Sequence, residues 1–207
     1  MYSKPIFQDS DCLICFLETN EEIILKNLFE KILIPYSVYS ELTRPKSPDI
    51  VKKNLQSLIN EGFVEIIQIE FGSNEFKTFE NISSGKFTSG EIVGRGESAA
   101  IALAIEYNGI VASNNLRDVV FFSNHFKVPI LTSSMIMAFS LELKLMTKDE
   151  LEIIWQKILN NTKQKLPKQT FDEYYEELFK KDCVDLLKNY DFKNHYISSK
   201  KRKRVKI

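Results

Sequence analysis

A three-layer α/β/α domain built around a short parallel sheet is the fold this sequence predicts, and three observations predict it. Short apolar runs bounded by turn residues alternate along the chain with segments whose apolar residues recur at helical spacing. Strands that alternate with helices pair in parallel, because each helix carries the chain back to the same edge of the sheet. A composition of 43% hydrophobic and 27% charged residues over 207 positions supplies one well-buried core and excludes a disordered chain. With only 7 Gly and 6 Pro, the chain is neither collagen-like nor of low complexity.

Each element has its own signal. Residues 5–9 read as a short buried strand, followed by Cys12-Leu13-Ile14-Cys15-Phe16-Leu17 and then by Ile23, Ile24, Leu28 and Phe29 at helical spacing. Asn20 is placed to cap that helix, with acids at 21 and 22 in its first turn. The run Ile32-Leu33-Ile34 stops at Pro35, and Glu41 falls on a short helix that Arg44-Pro45 ends. Residues 48–62 form an amphipathic helix closed by Gly62, and 63–69 a strand. Residues 81–96 are rich in Gly, Ser and Thr and read as a loop leading into the small-residue helix that begins Glu97-Ser98-Ala99-Ala100. Gly109 ends that helix, 110–112 is a strand, 116–126 a helix and 128–131 a strand. Helices follow at about 134–145 and 147–160.

The domain is therefore expected to span 1–160. Phe171, Tyr174, Tyr175, Leu178 and Phe179, continued by Cys183, Leu186 and Leu187, give a helical extension over 161–190, packing on the domain or on a second subunit as a homodimer contact. Residues 191–207 read as a basic, disordered tail.

The formal net charge is zero, but it is unevenly placed: six of the 28 cations fall in the last eight residues, leaving 22 against 28 acids in residues 1–199. That tail, including Lys201 and Arg202, is suited to phosphate, whereas the remainder is acidic. Three cysteines, an odd number, and an opening Met1-Tyr2-Ser3-Lys4-Pro5 without a long apolar leader predict a reducing, cytoplasmic setting. No apolar stretch reaches the roughly 18 residues that a membrane span needs.

In an open parallel sheet the functional crevice lies beyond the carboxyl ends of the strands. Asp9 closes the first strand, Glu41 follows the second, Glu97 begins a helix, and Asn114-Asn115-Leu116-Arg117-Asp118 follows the strand 110–112. Carboxylates gathered from separate places repel one another unless a cation lies between them. Oxygen donors without histidine or thiolate suit Mg²⁺ or Mn²⁺ better than zinc.

These residues resemble a known family. Asp9-Ser10-Asp11-Cys12-Leu13 is similar to the opening Asp-Thr/Ser-Asn/Asp-x-Leu motif of PIN-domain nucleases, and Val38-Tyr39-Ser40-Glu41 to their second acidic motif. Gly96-Glu97-Ser98-Ala99-Ala100-Ile101-Ala102-Leu103-Ala104 resembles their Gly-Glu-x-x-Ala-Ile-x-Leu-Ala helix, and Ser113-Asn114-Asn115-Leu116-Arg117-Asp118 their Thr/Ser-x-Asn/Asp-x-x-Asp segment. The resemblance covers about residues 5–145 and extends to VapC-toxin-like metal-dependent ribonucleases. It implies hydrolysis of phosphodiesters in single-stranded RNA with Mg²⁺ or Mn²⁺, an antitoxin partner and a PIN-like fold. Asp9, Glu41, Glu97 and Asp118 are then the catalytic candidates, with Asp9, Glu97, Asn115 and Asp118 as metal ligands. Ser10, Arg95, Asn114, Arg117, Lys201 and Arg202 are candidates for contacting substrate. The sequence departs from the family's commonest pattern at Asn114-Asn115, where many members carry aspartate.

Other readings compete. Asp11 is an alternative to Asp9 as a ligand. Cys12-x-x-Cys15 has no paired ligand spacing elsewhere and reads as core packing. Gly94-Arg95-Gly96-Glu97-Ser98-Ala99 formally fits a dinucleotide fingerprint, but a strand should precede it and Glu97 would face the pyrophosphate. A PIN-like module that binds RNA or protein without cleaving it is the main alternative, motivated by the asparagines.

Overall fold

The computed structural model describes residues 4–88, 90 and 92–182. Five parallel strands lie in the order β3-β2-β1-β4-β5, with β1 at Ile6–Gln8, β2 at Ile32–Pro35, β3 at Val64–Ile67, β4 at Ile110–Ala112 and β5 at Ile130–Leu131. Phe7 pairs with Leu33 on one side and Val111 on the other. The strand order reverses at β1, so the chain leaves β1 and β4 in opposite directions and a crevice opens between their carboxyl ends.

Successive strand residues face opposite layers. Ile6, Ile34 and Ile66 enter a core formed with α1 (Ser10–Thr19), α4 (Asp49–Asn60), α8 (Ser133–Glu142) and α9 (Lys148–Asn161). Phe7, Leu33 and Val111 enter the opposite core, filled by α6 (Arg95–Glu106) and α7 (Leu116–Phe126). The predicted α/β/α layering is thus what the chain adopts. Gln8 is the exception in β1: its side chain is fully buried, and neither amide atom has a hydrogen-bond partner among the described residues.

The structure completes some local readings and corrects others. The apolar run at 12–17 lies inside α1, whose Cys12, Leu13, Cys15, Phe16 and Leu17 are all buried, so it lacks the one-sided periodicity of a surface helix. Asn20 is the left-handed cap that ends α1, with φ 57°, and not the start of the next helix. That helix, α2 (Ile23–Leu28), is preceded by Glu22. Helix α5 (Asn74–Ser83) has no counterpart in the sequence reading and takes in residues 81–83 of the segment read as loop; it begins where the Ser73 hydroxyl accepts a hydrogen bond from the Phe76 amide. Asn108, with φ 49°, supplies the left-handed turn after α6. Gly109 has another role: a Cβ there would lie 2.7 Å from the Pro5 carbonyl and 2.8 Å from the Phe7 ring, so only glycine lets β4 start beside β1.

The helical extension is described as far as Asp182. α10 (Phe171–Tyr174) passes through one π-helical turn at Tyr175–Phe179 into α11 (Lys180–Asp182). Phe171, Tyr174 and Phe179 are buried in the same core as Trp155 and Phe139, so this face of the stripe is covered by the chain itself and is not an exposed dimer surface. The Trp155 indole donates to the Lys168 carbonyl, and Glu152 accepts from the Phe171 amide, fixing the segment to α9. Cys183, Leu186, Leu187 and the basic tail lie outside the described residues. Among the described residues no helix is long and apolar enough to cross a membrane.

Candidate active site

The crevice beside β1 collects its acids from helix starts. Asp9 follows β1 directly, its amide bonded to the Ala112 carbonyl, and precedes α1. Glu97 stands in the first turn of α6, Asp118 in the first turn of α7 and Asp11 in that of α1. The positive ends of three helix dipoles thus meet a group of carboxylates that would otherwise repel each other without compensation. Glu41 arrives from α3 (Tyr36–Leu42), which starts immediately after β2.

Gly96 is where two of these acids meet. A Cβ on it would lie 3.2 Å from an Asp9 carboxylate oxygen and 3.3 Å from one of Glu41. The missing side chain is what lets the start of α6 sit against both carboxylates, with Glu97 as the next residue. The Ser10 hydroxyl donates to Glu41 at 3.1 Å, and buried Ser113 donates to Glu97 at 3.2 Å. The Asn115 amide nitrogen bridges two acids, donating to Glu97 at 3.2 Å and to Asp118 at 2.9 Å.

Charge crowding is visible in the acidities. Burial, with the nearby charges of Asp11 and Glu41, pushes Asp9 up to about 7. Burial, then Asp9, Asp118 and Asp11, pushes Glu97 up to about 8. Asp11 is raised by burial, but hydrogen bonds from Asn114 and Cys12 amides and the Ser113 hydroxyl oppose this. Its carboxylate accepts from the Asn114 backbone at 3.0 Å, so Asp11 is committed to holding the end of β4, whereas Asp9 faces the crevice.

An open cavity of about 680 Å³ contains Asp9, Glu41 and Glu97, together with Ser10, Arg44 and Arg95. Asn115 and Asp118 stand outside this lining and reach it through Glu97. The Asn114 side chain is used within the protein, accepting from the Ser133 amide at 2.9 Å and donating to the Asp11 carbonyl at 3.3 Å. Arg117 forms an ion pair with Asp118 at 2.9 Å. Lys201 and Arg202 lie outside the described residues. Sequence reading did not single out Arg44, which passed as a helix terminator, or Ser113, whose hydroxyl in the fourth motif was its only signal. A larger hollow of about 800 Å³ lies beyond Asn114 beside β5, lined by Leu116, Val128, Met135 and Leu166 among others, and holds no acid.

The donor set of the cavity suits a hydrated divalent cation. Among the described residues no three His, Cys, Asp or Glu side chains are grouped as a ready-made metal cage. Magnesium does not require one, since it keeps several waters and is held by one or two carboxylates. Two crowded acids with raised pKa values, facing an open cavity, fit that mode of binding. Zinc does not fit the cysteine pair, because Cys12 and Cys15 are fully buried and burial pushes the Cys15 thiol up to about 12. The dinucleotide reading fails as well: the described residues before α6 form no strand, and Glu97 occupies the helix start where a pyrophosphate would sit.

A family model described as a PIN domain matches residues 5–114, more than half of the chain. The chain belongs to the PIN-domain family. PIN domains are nuclease domains, which places this chain, at the level of its family, among hydrolases of nucleic acids. Solved structures similar to this PIN domain include DNA-bound VapBC from Salmonella typhimurium, at 16% identity and TM-score 0.46, covering 64% of this chain and 99% of that one. VapBC2 from Rickettsia felis bound to a DNA fragment from its promoter is similar at 18% identity and TM-score 0.43, covering 61% and 98%. A comparison with curated proteins returns no significant match.

Proposed function

We propose that this PIN domain is a metal-dependent endoribonuclease that hydrolyses phosphodiester bonds of single-stranded RNA in the cytoplasm, as the toxin of a toxin–antitoxin pair. The observation that carries the reading is the meeting of Asp9, Glu41 and Glu97 in one open cavity, with the pKa values of Asp9 and Glu97 raised by burial and by neighbouring carboxylates. Such a cluster is stabilised by a positive charge between the carboxylates. A bound Mg²⁺ or Mn²⁺ supplies that charge, activates water and stabilises the phosphoryl oxygens.

In this reading Asp9 and Glu97 hold the ion, Glu41 completes the negative wall, Asp118 adds its charge from behind Glu97, and Asn115 orients Glu97 and Asp118 through its amide. Ser10 positions Glu41 through its hydroxyl. Arg95 and Arg44 face the same cavity and are suited to phosphate, and the tail residues Lys201 and Arg202 add affinity for the strand. The nuclease unit spans 1–160, and the extension seals its core through Phe171 and Phe179.

The test is cleavage of labelled single-stranded RNA with Mn²⁺, with and without chelator, by the parent protein and by Glu97→Gln. Chelator-sensitive cleavage that Glu97→Gln loses supports the reading. Absence of such cleavage, or full activity in the variant, overturns it. One observation favours a second reading, a module that binds RNA or protein without cleaving. The Asn115 amide already bridges Glu97 and Asp118, which partly satisfies the cluster without an ion. Binding of RNA that neither requires metal nor leads to cleavage would select that alternative.

A further inference from the structure

The cavity that holds the acids is also lined by groups of different chemistry. Tyr36 and Phe76 share its lining with Arg44 and Arg95. Tyr36 is 45% exposed and starts α3, the helix whose other end carries Glu41, so ring and acid are held on one rigid element. Phe76 is fixed in the first turn of α5 by the Ser73 cap. Phe71, 90% exposed, stands outside the cavity lining with its ring centre 4.9 Å from that of Phe76.

Solvent-accessible rings that share a cavity with guanidinium groups are the combination that binds single-stranded nucleic acid: arginines meet phosphate, and every base offers a π-face for stacking. An apolar ligand would make no use of the arginines, and a bare anion would make no use of the rings. We propose that Tyr36, Phe76 and Phe71 form a stacking platform for the bases flanking the phosphate to be cleaved. The platform makes this protein select unpaired, base-bearing strands, because a duplex keeps its bases stacked on one another. The inference rests on the endoribonuclease reading and specifies how that site takes its substrate.

The experiment compares binding of two RNA-backbone oligomers roughly 12 nucleotides long, within the usual size of single-strand sites. One carries all its bases and the other is abasic, so their charge is equal. The full-length Glu97→Gln protein is used with Mg²⁺ so that nothing is cleaved. The base-bearing oligomer should bind about ten-fold more tightly, since stacking contributes that order per base. Tyr36→Leu and Phe76→Leu should each move this ratio toward one without weakening the abasic oligomer. Equal binding of the two oligomers, which needs no substitution in the platform, overturns the proposal, as does a ratio unchanged in both variants. If the unmodified protein with Mn²⁺ still cleaves base-bearing RNA, that failure leaves the nuclease reading standing. If it neither binds nor cleaves RNA, both are withdrawn.

Discussion

Glu97→Gln should stabilise the metal-free protein while removing its activity. In the folded chain burial and the neighbouring acids hold Glu97 at about 8, against an ordinary value of 4.5. A carboxyl whose folded value is raised keeps its proton longer than it does unfolded, so stability falls as pH rises from the ordinary value toward the raised one. At pH 7 that penalty is about 3 kcal/mol, and at pH 5 it is under about 1 kcal/mol. Glutamine has no charge to desolvate, but it accepts with one oxygen where Glu97 accepts from Ser113 and Asn115 with two. The lost hydrogen bond costs about 1 kcal/mol. The net gain at pH 7 is about 2 kcal/mol, or about 4–8 °C in melting temperature for a chain of this size, and it vanishes at pH 5. Thermal melts in chelator at both pH values read this directly, and adding Mg²⁺ should raise the melting temperature of the parent more than that of the variant. A variant that melts at or below the parent at pH 7, or a gain that persists at pH 5, would refute the crowding argument.

Gly96→Ala should reduce cleavage about ten-fold or more with little loss of fold, because the new methyl pushes directly on Asp9 and Glu41, and small displacements of reacting groups are costly. Steady-state rates at saturating Mn²⁺ check it. Gly109→Ala should destabilise by about 2–3 kcal/mol, since the Pro5 carbonyl that its Cβ meets is backbone and cannot move aside; urea denaturation reads the effect. Gln8→Leu should stabilise by about 1–2 kcal/mol by removing a buried amide that has no partner among the described residues, again read by urea. Deleting residues 199–207 should flatten the salt dependence of RNA binding by about 0.7 per lost contact in log–log slope.

The layered fold was legible because β1, β2 and β4 are short apolar runs ending at a polar residue, a proline or a serine, and α4 and α7 carry a one-sided apolar stripe. The acids were legible for the same reason: Asp9 and the Asn114 segment follow strands whose ends could be located. Helix α1 was hidden because it is buried on most sides and shows no polar face. Asn20 suits either end of a helix, and only the direction of the chain after α1 decides that it terminates one. Helix α5 carries Phe76 and Phe79 toward a cavity that exists only after folding, so its stripe does not resemble a core-facing one. The bridging by Asn115 and the locking of Asn114 against Ser133 depend on β4 and β5 standing side by side, which spacing along the chain does not convey.

The central claim is that the carboxylates at the end of β1 and the start of α6 hold a divalent ion. Anomalous diffraction from crystals soaked in Mn²⁺ tests it most directly. A peak is expected about 2.0–2.2 Å from carboxylate oxygens of Asp9 and Glu97, with waters completing the shell toward the cavity. A fully soaked crystal with no peak there, or with manganese bound only at other acids, would contradict it.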